Sequence, residues 1–173
     1  MPIGLRERYR KPVGIGVQTG GKPAFRADSY ATGVSQEGAH VRMSKPTQQI
    51  ALALVHRADQ WLVAQRRDDA HLGGLWEFPG GKCEPDETPT QAALRELYEE
   101  CAVRAEPQQV LDTVTCEYDD RIMHLTPVIC RWLAGEPQPL GSQRCRWVNG
   151  AELQCLEMPA VNAGIIRAAL AYQ

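Results

Sequence analysis

Several features are scarce or missing in these 173 residues. The six cysteines, Cys83, Cys101, Cys116, Cys130, Cys145 and Cys155, include no Cys-x-x-Cys pair, and no two stand at zinc-ribbon spacing. A structural zinc site is therefore not expected, and the cysteines read as reduced, small core residues. No apolar run reaches the ~20 residues that span a bilayer, so no membrane partner is expected. The formal net charge is -2, which provides no global attraction for a nucleic-acid polymer and leaves small anionic ligands open. Met1–Lys11 is basic but has no apolar stretch behind it, so no signal peptide is read and the expected location is the cytoplasm. There is no internal repeat and no sign of an obligate protein partner.

What is present divides at about residue 47. Residues 1–47 are rich in Gly, Ser, Pro, Arg and Lys without sustained apolar periodicity, and they read as a flexible extension. Gly14-Ile15-Gly16 and Thr19-Gly20-Gly21 are hard to hold in a helix or a central strand. Residues 48–173 read as one folded domain. Ile50–Val55 and Trp61–Ala64 suit two strands of a hairpin turned by the polar segment Arg57–Gln60. Pro79-Gly80-Gly81 reads as a sharp loop. Thr90–Cys101 reads as a helix, with Thr88 as N-cap and Pro89 at its first position. Val110–Tyr118, Met123–Leu133 and Arg144–Val148 follow as strands, and Pro159 to about Ala171 as a second helix. Helices and strands mix without regular βαβ alternation, which gives an α+β class, a mixed α/β sandwich.

The chemistry is concentrated on the first helix. Glu96, Glu99 and Glu100 stand at i, i+3 and i+4, so their side chains share one face and repel one another. A solvated acidic surface is the plain explanation of such a run. Here, however, a glycine-rich loop precedes the helix and permits close approach of a ligand. Clustered carboxylates also make the hard oxygen site that Mg²⁺ prefers. Arg95 points about 100° away from Glu96 around the helix, from where it can pair with Glu87 and brace the loop.

Read together, Gly81, Glu87, Arg95, Glu96, Leu97, Glu99, Glu100 and Val103 resemble the Nudix box: Gly, five residues, Glu, seven residues, then Arg-Glu-aliphatic-any-Glu-Glu-any-Gly-aliphatic. One fixed position departs, with Ala102 where the pattern has Gly. Ala102 closes the helix, where a left-handed conformation is expected to cost Ala on the order of 1 kcal/mol. Beyond the box, Gln65-Arg66-Arg67, Ala70-His71, Trp76–Lys82, Asp120-Arg121, Gly135-Glu136-Pro137 and Met158–Asn162 resemble the MutT branch of the family.

That resemblance implies an α/β/α sandwich around a mixed β-sheet and an enzyme hydrolysing phosphoric anhydrides with Mg²⁺, or Mn²⁺ in its place. It implies metal ligation by Glu96, Glu99, Glu100 and a backbone carbonyl of Gly80 or Gly81. Water would attack a bridging phosphorus, with Glu96 or a neighbour as general base and Arg95 in the catalytic set. For the substrate, Arg66 matches the position that contacts phosphates, and Phe78 and Asn162 match positions beside the purine; the plain alternatives are an edge-strand arginine kept for solubility, a core phenylalanine and a helix-start asparagine bonding its own backbone. An Asn amide can both donate and accept, as the edge of an oxidised guanine requires. Arg121 and His71 complete the expected substrate set, although a solvent-facing arginine and a structural histidine explain these two as simply. His124 also reads as structural. The expected reaction is hydrolysis of 8-oxo-dGTP to 8-oxo-dGMP and pyrophosphate, which cleans the nucleotide pool. The rivals are another Nudix substrate (a pyrimidine triphosphate, a dinucleoside polyphosphate or a nucleotide sugar) and a Nudix module that binds without turnover. MutT-type enzymes often carry an acidic residue before the last strand. Here Pro139–Arg144 contains none, which shifts weight to Glu96 as base.

Overall fold

The computed structural model describes Lys45–Tyr172 and, for its backbone, Gly14–Val17. The strands are β1 (Gly14–Val17), β2 (Thr47–Arg57), β3 (Gln60–Gln65), β4 (Trp76–Glu77), β5 (Gly80–Lys82), β6 (Arg104–Val110), β7 (Val114–Glu117), β8 (Ile122–Ala134) and β9 (Arg144–Asn149). The helices are α1 (Pro89–Cys101), α2 (Gly150–Cys155) and α3 (Asn162–Ala171). All nine described strands belong to one sheet, whose main path runs β1-β7-β8-β2-β3-β4. Further pairs join β5 to β2, β6 to β8 and β9 to β3. The central pair, β2 with β8, is parallel, while the other pairs are antiparallel. The sheet is therefore mixed, as expected.

Alternation along the strands divides the core into two layers, because successive side chains leave opposite faces of a strand. Ala51, Ala53 and Val55 of β2, with Leu62 of β3 and Val128 of β8, meet Ala92, Ala93, Leu97 and Cys101 of α1. Leu52 and Leu54, with Trp61, Val63 and Ile129, meet Leu153 of α2 and Ile165, Ile166 and Ala169 of α3. The result is the α/β/α sandwich. Alanines on both sides of the first interface let α1 lie close to the sheet, which brings its glutamate face to β5.

Helix α1 starts where its caps dictate. The Thr88 hydroxyl accepts the Gln91 N–H, and the Gln91 side chain accepts the Thr88 N–H at 2.9 Å, a reciprocal capping box. At the other end Ala102 is left-handed, with φ 54° and ψ 26°, as its place in the box anticipates.

Several expectations need correction. Pro79-Gly80-Gly81 is not a free loop: Gly80–Lys82 pairs antiparallel with Ile50–Leu52. A Cβ on Gly80 would lie 2.1 Å from the Ala51 carbonyl oxygen, so only glycine permits that pairing. The stretch read as one strand from Val110 to Tyr118 is two, ending at Val110 and resuming at Val114. Strand β6 is polar and contains Pro107, which hides it from pattern reading. It lies beside β8 with register shifts, a position that tolerates proline. Helix α2 was not expected, although Asn149 and Glu152 spell out its capping box. Helix α3 begins at Asn162 rather than Pro159. Within the stretch read as a flexible extension, Gly14–Val17 pairs with β7 at the end of the sheet, and β2 already starts at Thr47. The remainder of that expectation lies outside the described residues.

Candidate active site

Strand β5 and helix α1 meet at right about the point where the box begins, and Arg95 locks them together. Its Nε and Nη2 donate to the two Glu87 oxygens at 3.0 and 2.9 Å, a bidentate pair. Nη2 also donates to the Lys82 carbonyl at 3.0 Å. Nη1 donates to Glu96 Oε1 at 2.9 Å and Glu99 Oε2 at 3.2 Å. One guanidinium thus ties β5, the following loop and the acidic face of α1. These bonds hold the Glu87 carboxyl below the usual carboxylate range, with Arg95 the leading cause. They also raise the already high Arg95 value.

The three glutamates of α1 are not equivalent. Glu96 stands against Gly81, where an added Cβ would lie 2.4 Å from its carboxyl carbon. Glu100 accepts the Gly80 N–H at 3.1 Å. Glu99 lies at the rim, its side chain 57% exposed. Burial pushes the Glu100 carboxyl up to about 7, opposed by the Gly80 N–H and reinforced by the negative charges of Glu77 and Glu96.

Among the described residues no three His, Cys, Asp or Glu side chains converge as a ready metal cage; Arg95 donates to Glu96 and Glu99, and the Gly80 N–H to Glu100. The donor set nevertheless fits a divalent cation. Glu96, Glu100 and the backbone of Gly80–Gly81 are all hard oxygen groups. Glu100 is an enclosed acid with no cationic partner among the described residues, and Gly81 leaves no side chain in the way.

A cleft of about 440 Å³ opens beside this corner. Gly80, Gly81, Lys82, Arg66 and Glu77 line one part of it, and Asn162, Phe78, Tyr118, Arg121 and His71 other parts. Arg66 is pre-positioned by an ion pair to Glu77 and by donation from Nε to the His71 carbonyl at 2.7 Å. Its side chain is 28% exposed, so a free edge remains available. Asn162 is buried at the N-terminus of α3, and its Nδ2 donates weakly to Met158 Sδ at 3.8 Å. Arg121 is paired with Asp120 at 2.8 Å and lies 5.3 Å over the Tyr118 ring.

The cleft therefore brings together Arg66, His71, Phe78, Arg121 and Asn162, which are far apart in sequence. Phe78 is 1% exposed and packs in the core while forming cleft wall, in line with its plain reading as a core residue. His71 contributes its backbone carbonyl to Arg66, a structural role of the kind weighed for it. His124 points away into β7, 2.8 Å from Thr115 Oγ1. Sequence reasoning missed Glu77, whose carboxyl is pushed up by burial against the lowering effect of Arg66. Its signal was available: an acid directly before a buried Phe and the glycine pair. Tyr118 was missed too, since nothing local distinguishes it from a strand residue. The segment Pro139–Arg144, which lacks a carboxylate, caps α1 instead. Leu140 and Gly141 donate to the Glu100 carbonyl at 2.9 and 3.2 Å.

An α/β/α sandwich whose glycine strand faces a glutamate helix across a nucleotide-sized cleft defines a class of pyrophosphate-cleaving hydrolases. The chain belongs to the NUDIX domain family, whose sequence model matches residues 50–168, and it is a hydrolase of the MutT type. It is 33% identical over 122 residues to an 8-oxo-dGTP diphosphatase of Escherichia coli, covering 68% of this chain and 92% of that one. A Proteus vulgaris 8-oxo-dGTP diphosphatase is 52% identical over 64 residues, a match spanning 37% of this chain and 55% of the relative. A CTP pyrophosphohydrolase of E. coli is 40% identical over 77 residues, 44% of this chain and 57% of that one. Among solved structures, the E. coli ORF135 protein superposes with a TM-score of 0.66 at 30% identity, covering 74% of this chain and 91% of the other. Among the described residues no helix is long and apolar enough to cross a membrane.

Proposed function

We propose that this hydrolase converts 8-oxo-dGTP to 8-oxo-dGMP and pyrophosphate with Mg²⁺ as cofactor, removing an oxidised precursor from the nucleotide pool. The observation that carries the reading is Asn162, a buried amide lining the same cleft as Gly80 and Arg66. An amide enclosed in this way is costly unless a ligand or neighbour completes its hydrogen bonds. It offers a donor and an acceptor to a base edge. Arg66, held by Glu77 and the His71 carbonyl, is aimed where phosphate oxygens would lie and can donate two parallel bonds to them. Glu96, Glu99 and Glu100, with a Gly80 or Gly81 carbonyl, would hold the cation. When bound, it neutralises phosphate charge and lowers the pKa of an attacking water. Glu96 is the acid nearest the Gly81 backbone and serves as general base, accepting a proton from that water. Arg95 positions it by holding one of its oxygens.

The second reading is a pyrimidine triphosphate as substrate. It is favoured by the likeness to a CTP pyrophosphohydrolase, 40% identical over 77 residues. Steady-state kinetics with 8-oxo-dGTP, dGTP, dCTP, CTP and ADP-ribose separates the two. The oxidised nucleotide should show the highest kcat/KM, and Asn162→Ala should erase its advantage over dGTP. Equal kcat/KM for 8-oxo-dGTP and dGTP in the wild type would defeat the proposal, and preference for CTP would establish the alternative. Binding of these nucleotides without release of pyrophosphate would instead identify a module that does not turn over.

A further inference from the structure

Two thiols that the proposed reaction does not use face each other across the end of the glutamate helix. Cys101 Sγ, the last residue of α1, lies 3.4 Å from Cys145 Sγ on β9. They are far apart in sequence, and no sequence spacing relates them. Cys101 is buried and Cys145 is partly exposed. Ser142 Oγ lies 3.3 Å from Cys145 Sγ, so a hydroxyl stands beside the reachable sulfur. The two backbones are already joined around this point: Gln138 donates to the Cys101 carbonyl at 3.0 Å, and Leu140 to the Glu100 carbonyl at 2.9 Å. Sulfurs in contact on rigid elements, one reachable and one enclosed, have the arrangement of an attacking and a resolving thiol.

We propose that Cys101 and Cys145 form a reversible modification site, an intramolecular disulfide made by a hydroperoxide and undone by a small thiol. The Cys145 thiol gives up its proton and the thiolate attacks the terminal peroxide oxygen; the O–O bond breaks, the departing alkoxide or hydroxide takes up that proton as alcohol or water, and Cys145 becomes a sulfenic acid. The Cys101 sulfur then attacks that sulfur. The S–S bond forms, the S–O bond breaks, and the hydroxyl leaves as water with the Cys101 proton. The two thiols together lose two electrons and the hydroperoxide gains them. A disulfide is about 2 Å long, so the end of α1 and the start of β9 must draw together. Glu100 is the residue next to Cys101, and its carboxylate meets Gly80, so the bond displaces a proposed cation ligand and slows hydrolysis several-fold. That effect on rate rests on the function proposed above; formation of the bond does not.

The test exposes the full chain to graded hydrogen peroxide, blocks free thiols, and maps peptides by mass before and after dithiothreitol. Cys155 is exposed and serves as the internal reference. A linked peptide joining Cys101 and Cys145, two hydrogens lighter, should appear at or below the dose that oxidises Cys155. It should vanish with reductant and be absent from Cys145→Ser. Pyrophosphate release measured on the same samples should fall with the linked fraction, recover on reduction, and stay peroxide-resistant in Cys145→Ser. Free Cys101 and Cys145 at doses that oxidise Cys155 would overturn the proposal. A bond that forms with the rate unchanged, or equal inactivation of Cys145→Ser, would overturn its link to Glu100. A fully reduced protein inactive on every nucleotide would count against the proposed function while leaving the bond itself decided by mass.

Discussion

At Glu100 two requirements conflict. The carboxyl is enclosed, accepts the Gly80 N–H, and faces the negative charges of Glu77 and Glu96. Without a cation nearby its charged form is disfavoured, yet a cation ligand must be charged. Glu100→Gln keeps an acceptor for Gly80 and removes the charge. It is expected to lower kcat at least ~100-fold, the scale of lost electrostatic stabilisation. In metal-free buffer at pH 8 the same change should raise Tm. Glu99→Gln should lower kcat on the same ~100-fold scale with little effect on Tm, because Glu99 lies at the rim. Losses under about tenfold would mean that these side chains do not hold the catalytic ion. Steady-state kinetics and thermal melts on the same preparations read both effects.

At the scale of elements, α1 shows how local rules place a site. Thr88, Pro89 and Gln91 start the helix, and one turn later Ala92 and Ala93 set it against Ala51 and Ala53. From there Glu96 and Glu100 fall opposite Gly80 and Gly81. The end of the helix is less well suited, since Ala102 takes a left-handed conformation at φ 54°. Ala102→Gly removes a penalty of roughly 1 kcal/mol but adds freedom to the unfolded chain. A net gain of about 0.5 kcal/mol is expected from these opposed contributions. Urea unfolding should show a higher midpoint at unchanged slope. A lower midpoint would mean that contacts of the alanine methyl outweigh the backbone strain.

For the whole molecule, the raised Glu100 value couples stability to pH and to metal. The folded-state value is about 7 against an ordinary 4.5, so the folded protein binds this proton more tightly than the unfolded chain. The associated stability is complete below the ordinary value and is lost as pH rises through the folded one. The loss is at most on the order of 3 kcal/mol. Melts in a chelator should therefore show Tm falling from pH 5 to pH 8, roughly the window between those values. Saturating Mg²⁺ should reverse the trend, because the cation binds the charged form and stabilises the folded state by mass action. A Tm that is independent of pH and Mg²⁺ would show that Glu100 neither titrates in this window nor meets the ion.

How much was readable beforehand varied with the range of the interaction. The helix, its cap, its left-handed end, the β2–β3 hairpin and the spacing of Arg95 from Glu87 depend on neighbours a few residues away, and all were legible. The acidic face was legible because helical periodicity alone brings Glu96, Glu99 and Glu100 together. Strand β6 was not, because sheet neighbours rather than its own polar composition hold it extended. The pairing of Gly80–Lys82 with β2 was hidden for the same reason: a glycine pair looks like a turn until another backbone is placed beside it. Tertiary packing decided that Phe78 is core and not a free ring, that Glu77 restrains Arg66, and that Cys101 touches Cys145. Such contacts join residues whose separation along the chain has no fixed relation to distance. Covalent geometry transmits order over a turn or two of backbone, and beyond that range only the packing of the sheet and its two helical layers determines which groups meet.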